Sequence, residues 1–388
     1  MTWTTDVLGP PYEVETIEMP PDDEGLVVAT LVRRRAPEPT RRAVLHVHGF
    51  ADYFFHTEYA EWWNARGYDF YALDLRKFGR SLRPHQTPNY VADLHEYYAD
   101  LDLAWWRIVQ RDGHDHVVSS AHSTGGLTLA LWAHDRRPDA HAAMVLNSPW
   151  FDMQGSAWLR SPAARVAINQ LGSLNPRRII PRDVSGIYGR SLHVEHDGEW
   201  SYDLDWKPLE SRPVYVGWLR AIRTGHARVH HGLAIDVPVL VLSSDRSHNP
   251  VEMDEDVHRT DIVLDVHQIR RWASSVGLRV TSVTVPGAMH DVVLSRPEVR
   301  SVAYDEIGRW WRAYVDAAPV RASSDEEGDQ SRNADHDDEA PQHDRREPAP
   351  EGGAEEATED RPGGDEQGDG PVHVGDEHEH DARDAVHQ

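Results

Sequence analysis

The chain has 388 residues, no cysteine and a net charge of −25. The lack of cysteine excludes disulfides, thiolate metal sites and a cysteine nucleophile, and no run of about 18 apolar residues is available to span a membrane. Residues 321–388 hold 23 Asp and Glu against 6 Arg and no Lys, which leaves a net of −8 for the first 320 residues; neither part offers the basic face that nucleic-acid binding needs.

The start, MTWTTDVLGPPYEVE, has no basic segment leading into an apolar stretch. No signal peptide and a cytoplasmic location are therefore expected. YEVETIEM and LVVATLVRRR read as an N-terminal hairpin. AVLHVHG and YDFYALDL are short apolar strands, separated by a helical stretch around Glu58 to Ala65. NYVADLHEYYADLDLAWWRIVQR has helical periodicity with an apolar and aromatic stripe. HVVSSAHS, a helix GGLTLALWAHDRR and a strand AAMVLNS follow. VPVLVLSS resumes the pattern, then a helix around Val266 to Ser275, a strand RVTSVTV and a last helix from about Glu298 to Val315. Strands that alternate with helices predict an α/β chain with a mostly parallel sheet covered on both faces.

Residues 149–236 interrupt this alternation and are too long for a simple loop. They are rich in Trp, Arg and Tyr. They are expected to form a cap over the carboxyl ends of the strands, where open α/β sheets hold ligands. The domain reading is a core of 1–148 and 237–320, the cap at 149–236, and a disordered acidic tail at 321–388, too poor in apolar residues to offset its ordering entropy. The His-rich end of the tail, HVGDEHEHDARDAVH, is read as solvated; weak metal binding is the lesser alternative.

Three segments carry candidate chemistry. In DHVVSSAHSTGG an apolar strand runs into Ser123 and a helix follows. A serine exposed on such a sharp turn needs small residues two positions either side, and Ala121 and Gly125 supply them. An N-cap serine is the alternative. In VLHVHGFAD, a strand ending at His48-Gly49 presents backbone N–H groups; those of Phe50 and Thr124 suit an oxyanion. In VTVPGAMHDVVLSRPEV, His290 lies between the last strand and the last helix, where a general base is wanted. A carboxylate is expected after VPVLVLSS to orient the imidazole. Asp245 directly follows the strand and Asp261 ends the loop; Asp254, Asp256 and Asp265 are lesser candidates. Trp150, Phe151, Met153, Trp158 and Leu159 are candidates for an acyl pocket, or for the cap's own core.

On His48-Gly49, DLRKFGRS at Asp74 to Ser81, Gly125-Gly126 after His122-Ser123, and Gly287 with His290-Asp291, the chain resembles α/β-hydrolases of the serine aminopeptidase and monoacylglycerol lipase-like (lysophospholipase-like) group over residues 25 to 318. Two positions depart from the group's pattern: Lys77 stands where glycine is common, and Ala121 replaces the first glycine of the serine motif. The resemblance implies an α/β-hydrolase fold, with a mostly parallel eight-stranded sheet and an inserted cap. It favours Asp261, in its DIV context, as the acid. It also implies a serine hydrolase of carboxylic esters that needs no cofactor or metal and takes a small-molecule acyl ester. Hydrolysis of a peptide, thioester or lactone bond, and a non-catalytic binding protein on the same fold, are the alternatives. Arg76 and Arg80 are expected to hold loops through carboxylates rather than to bind an anionic substrate.

Overall fold

In the computed structural model, residues 3–154, 161–181 and 185–316 are described. Among these residues nine strands form one sheet: β1 (Thr4–Thr5), β2 (Glu13–Asp22), β3 (Gly25–Arg34), β4 (Arg42–Val47), β5 (Asp69–Asp74), β6 (His116–His122), β7 (His141–Asn147), β8 (Val239–Ser244) and β9 (Val280–Val285). Their order is β1-β2-β3-β5-β4-β6-β7-β8-β9. The first four pair antiparallel, and from β5 through β9 every pairing is parallel. Eight strands were expected; the ninth is the two-residue β1, too short to leave an alternating pattern in the sequence.

The helices are α1 (Thr57–Asn64), α2 (Tyr98–Trp106), α3 (Ser123–Arg136), α4 (Pro162–Leu174), α5 (Ile187–Leu192), α6 (Val216–His231), α7 (Val266–Ala273) and α8 (Pro297–Trp311). The long helical pattern predicted from Asn89 does not begin there. Asp93 accepts from the His95 N–H at 2.9 Å, and Glu96 accepts from the Asp93 N–H at 3.1 Å. That reciprocal cap starts a 3₁₀ turn at Leu94–Tyr97, which leads into α2.

Strand period decides which helices cover which face. On β4, Ala43, Leu45 and Val47 join one core cluster with Leu101 of α2, Leu129 of α3, Ile222 of α6 and Ile269 of α7. Val44 points the other way and joins Trp63 of α1 and Trp310 of α8. Both faces are apolar, which explains the continuous apolar strands.

The long segment between β7 and β8 carries α4, α5 and α6. Its α6 buries Trp218, Leu219 and Ile222 in the same cluster as α2 and α3. A smaller cluster joins Leu192 and Tyr202 of this segment to Tyr53, Phe55, Met289 and Leu294 of the loops at the strand ends. The acidic tail predicted to be disordered lies outside the described residues.

Candidate active site

β6 ends at His122 and α3 begins at Ser123 with no intervening loop. Ser123 has φ of 52°, a left-handed conformation that costs a non-glycine residue about 1–3 kcal/mol. The close packing around it explains the small flanking residues. Ala121 is fully buried, and a Cβ on Gly125 would meet the carbonyl oxygen of His48. Gly125→Ala is therefore expected to destabilise the protein by about 3 kcal/mol, because backbone must move to relieve the clash. A thermal melt checks this, and an unchanged midpoint would show that the turn has slack.

His290 Nε2 lies 3.1 Å from Ser123 Oγ, and His290 Nδ1 lies 2.9 Å from Asp261 Oδ2. All three are buried, with Asp261 fully inaccessible. The other Asp261 oxygen accepts from the N–H groups of Val263 and Leu264 at 2.8 and 2.7 Å. Those two bonds fix the carboxylate's orientation toward His290. Asp245 is elsewhere: its Oδ1 accepts from the Gly287 N–H at 2.9 Å, pinning the turn that leads to His290. The lesser candidates are also occupied. Asp254 caps the turn at Glu255–His258, Asp256 pairs with Arg246 at 2.8 Å, and Asp265 caps α7.

The turn after β4 is organised by His48. Its Nε2 accepts from the Leu75 N–H at 3.0 Å, so the ring proton sits on Nδ1 and is donated to Gly49 O at 2.8 Å. The Gly49 carbonyl shares a peptide plane with the Phe50 N–H. His48 thereby sets the direction of that N–H. Burial holds His48 below its usual pKa, which keeps this neutral tautomer. A Cβ on Gly49 would crowd His122 Nδ1 and the Ser123 Cβ, so the turn lies directly against the serine. Thr124 is in the first turn of α3, where backbone N–H groups lack helical partners.

A cavity of about 10 Å³ adjoins this turn, lined by Gly49, Thr124, Gly125, Leu94, Trp218 and Ile222 among others. That is room for about one water. Trp218 of α6 closes it: its ring centroid is 4.4 Å from that of Phe50 and 5.9 Å from that of Trp150. Of the proposed pocket aromatics, Trp150 therefore reaches the site's margin through Trp218. Phe151 is fully buried in the main core and does not line the cavity. Trp158 and Leu159 lie outside the described residues. Trp218 and Ile222 stand more than 65 residues after the end of β7, so no adjacency to a strand end marks them in the sequence.

The arginines of DLRKFGRS hold loops. Arg76 grips the buried Asp100 at 2.7 Å. Arg80 pairs with Asp6 at 2.7 Å and Asp74 at 2.9 Å, and donates to Phe54 O at 3.0 Å. Lys77 has φ of 65°, the conformation that favours glycine, and its ammonium pairs with Asp22 at 2.6 Å and Glu24 at 2.7 Å.

Behind the serine, ligand-type atoms of Asp52, His122 and Asp291 lie within 4.8 Å of one another. The buried ammonium of Lys207 is 2.7 Å from Asp52 and already supplies a cation to that group. Among the described residues, no helix is long and apolar enough to cross a membrane.

A mostly parallel sheet with a serine on a left-handed strand-to-helix turn, and a histidine after the last strand, defines an α/β-hydrolase. Residues 38–294 match the model of the family described as serine aminopeptidase, S33, and the chain belongs to that family. The uncharacterized protein YnbC of Escherichia coli (strain K12) is 28% identical over 243 residues. The match covers 61% of this chain and 36% of that protein, so the chain spans little more than a third of the relative's length. Two solved structures share the fold. A soluble variant of the Saccharomyces cerevisiae monoglyceride lipase has a TM-score of 0.54 at 16% identity, covering 77% of this chain and 96% of that one. The Paleococcus ferrophilus monoacylglycerol lipase has a TM-score of 0.52 at 20% identity, covering 73% and 98%.

Proposed function

We propose that this hydrolase cleaves carboxylic esters through an acyl-enzyme on Ser123. The observation that carries the reading is the hydrogen-bonded line from Ser123 through His290 to Asp261, at 3.1 and 2.9 Å, on a left-handed turn that projects the hydroxyl. In this reading Ser123 Oγ attacks the ester carbonyl carbon while His290 Nε2 takes its proton. The oxyanion is held by the N–H groups of Phe50 and Thr124. His290 then gives its proton to the leaving alcohol, and water repeats the sequence to release the acid. Asp261 holds the imidazole tautomer and stabilises the imidazolium.

The test is labelling with a fluorophosphonate followed by peptide mapping. The label is expected on the peptide that contains Ser123, and a folded protein that takes none would sink the reading. The names of the two lipases above support a small acyl ester as substrate, whereas the family's description keeps an aminoacyl bond open. Turnover of p-nitrophenyl esters with inert aminoacyl anilides and acyl thioesters is the expected pattern. The segment 149–236 is read as a cap whose α6 sets acyl size. Trp218→Ala is accordingly expected to raise kcat/KM for octanoyl over acetyl esters by roughly ten- to a hundredfold, the scale of a few methylenes in an apolar pocket. An unchanged ratio would place acyl selection elsewhere.

A further inference from the structure

The residues beside the three reactive segments meet one another. Asp52 lies two positions after Phe50, His122 one before Ser123, and Asp291 one after His290. All three are buried, at 2%, 4% and 1% exposure. His122 Nδ1 is 3.5 Å from Asp52 Oδ2 and 3.5 Å from Asp291 Oδ2. Each carboxylate's other oxygen is already held: Lys207 Nζ is 2.7 Å from Asp52 Oδ1, and Asn147 Nδ2 donates to Asp291 Oδ1 at 2.6 Å. Asn147 Oδ1 in turn accepts from the Val292 N–H at 3.0 Å. Asp52 Oδ2 also faces the Gly49 N–H at 3.4 Å.

Charge decides what the imidazole must be. Two buried carboxylates against one ammonium leave an uncompensated negative charge, which is costly in an apolar interior. A proton on His122 makes the group neutral. Around the ring also stand His290, with centroids 4.8 Å apart, and His46, His56 and Lys207. Burial holds His46 and His56 below their usual pKa, so neither competes for the proton.

We propose that His122 is a cationic positioning residue that fastens the oxyanion turn, the serine turn and the base-bearing loop to one another through Asp52 and Asp291. This rests on Ser123 and His290 being nucleophile and base. His122 touches no reacting atom of the substrate; it fixes the spacing of three groups that must act together. Burial opposes the charged ring, but Asp291 and Asp52 outweigh it and hold His122 above its ordinary value of 6.5. A folded-state value above the unfolded one means the stabilisation is complete below about 6.5 and fades as pH rises through the raised value.

The first measurement needs no variant. In the ¹⁵N-histidine-labelled full chain at pH 7.0, His122 is expected to show both ring nitrogens protonated; a neutral His122 would overturn the proposal. So would a stoichiometric divalent metal in the purified protein bound by that neutral ring. His122→Gln assigns the resonance, and its kcat for a p-nitrophenyl ester is expected to fall roughly ten- to a hundredfold, the effect of misplaced reacting groups, with KM little changed. His122→Gln with Asp291→Asn restores neutrality and is expected to recover part of that loss. Single-variant turnover equal to the native protein, or a double variant no better than the single, would overturn it. A folded Ser123→Ala protein that still labels would sink the hydrolase reading, but would leave the His122 protonation result standing.

Discussion

Ser123→Ala is expected to lower kcat for p-nitrophenyl esters by roughly six orders of magnitude and to abolish fluorophosphonate labelling. Among the described residues, no other hydroxyl near the turn has a base in place. Ser120 of β6 is buried and bonds Tyr59 at 2.9 Å and His46 at 3.2 Å. Among the described residues, Ser123 is the hydroxyl that His290 hydrogen-bonds. The substitution removes one buried hydroxyl and leaves the left-handed backbone, so the melting point should stay close to native. His290→Ala should cost about as much, and the double variant little more, because the residues act as a unit. Residual labelling in the folded Ser123→Ala protein would disprove the assignment.

The second large effect separates the two candidate acids. Asp261→Asn is expected to reduce kcat by about 10⁴-fold. The amide would still fill the space and accept from Val263 and Leu264, but its NH₂ would turn toward His290 Nδ1 and favour the wrong tautomer. Asp245→Asn should leave turnover near native, because its amide oxygen can go on accepting from Gly287. Parallel kinetics of the two variants decide the matter. If the losses were reversed, Asp245 would be the acid.

Much of the site was legible because it sits where strands end. Ser123, His48-Gly49 and His290 each follow an apolar run, and the chain order of these runs fixes their places along one edge of a parallel sheet. The carboxylate beside His290 was harder to read. Asp245 is adjacent to its strand, yet Asp261 reaches His290 because Ser247 and Asp261 pair across the intervening loop; a pairing between loop residues has no periodic signature. The buried group of Asp52, His122, Asp291 and Lys207 was equally hidden. Each member is polar, and in a sequence a buried polar residue looks like an exposed one. Helix α6 carries the 3.6-residue apolar pattern, but that pattern does not say which cavity the helix closes.

Lys77 departs from the family pattern at a backbone position that favours glycine. A left-handed lysine costs about 1 kcal/mol or more, and here that cost is offset by ion pairs to Asp22 and Glu24 at the turn of the β2–β3 hairpin. The side chain is a strut between the antiparallel edge of the sheet and the loop that carries Arg76 and Arg80. Replacement by glycine would relax one backbone position but remove the ammonium that two carboxylates share, leaving Glu24 the more distant Arg177 at 3.7 Å. Positions 22, 24 and 77 thus form a single structural unit, and the effect of a change at one depends on the residues at the other two.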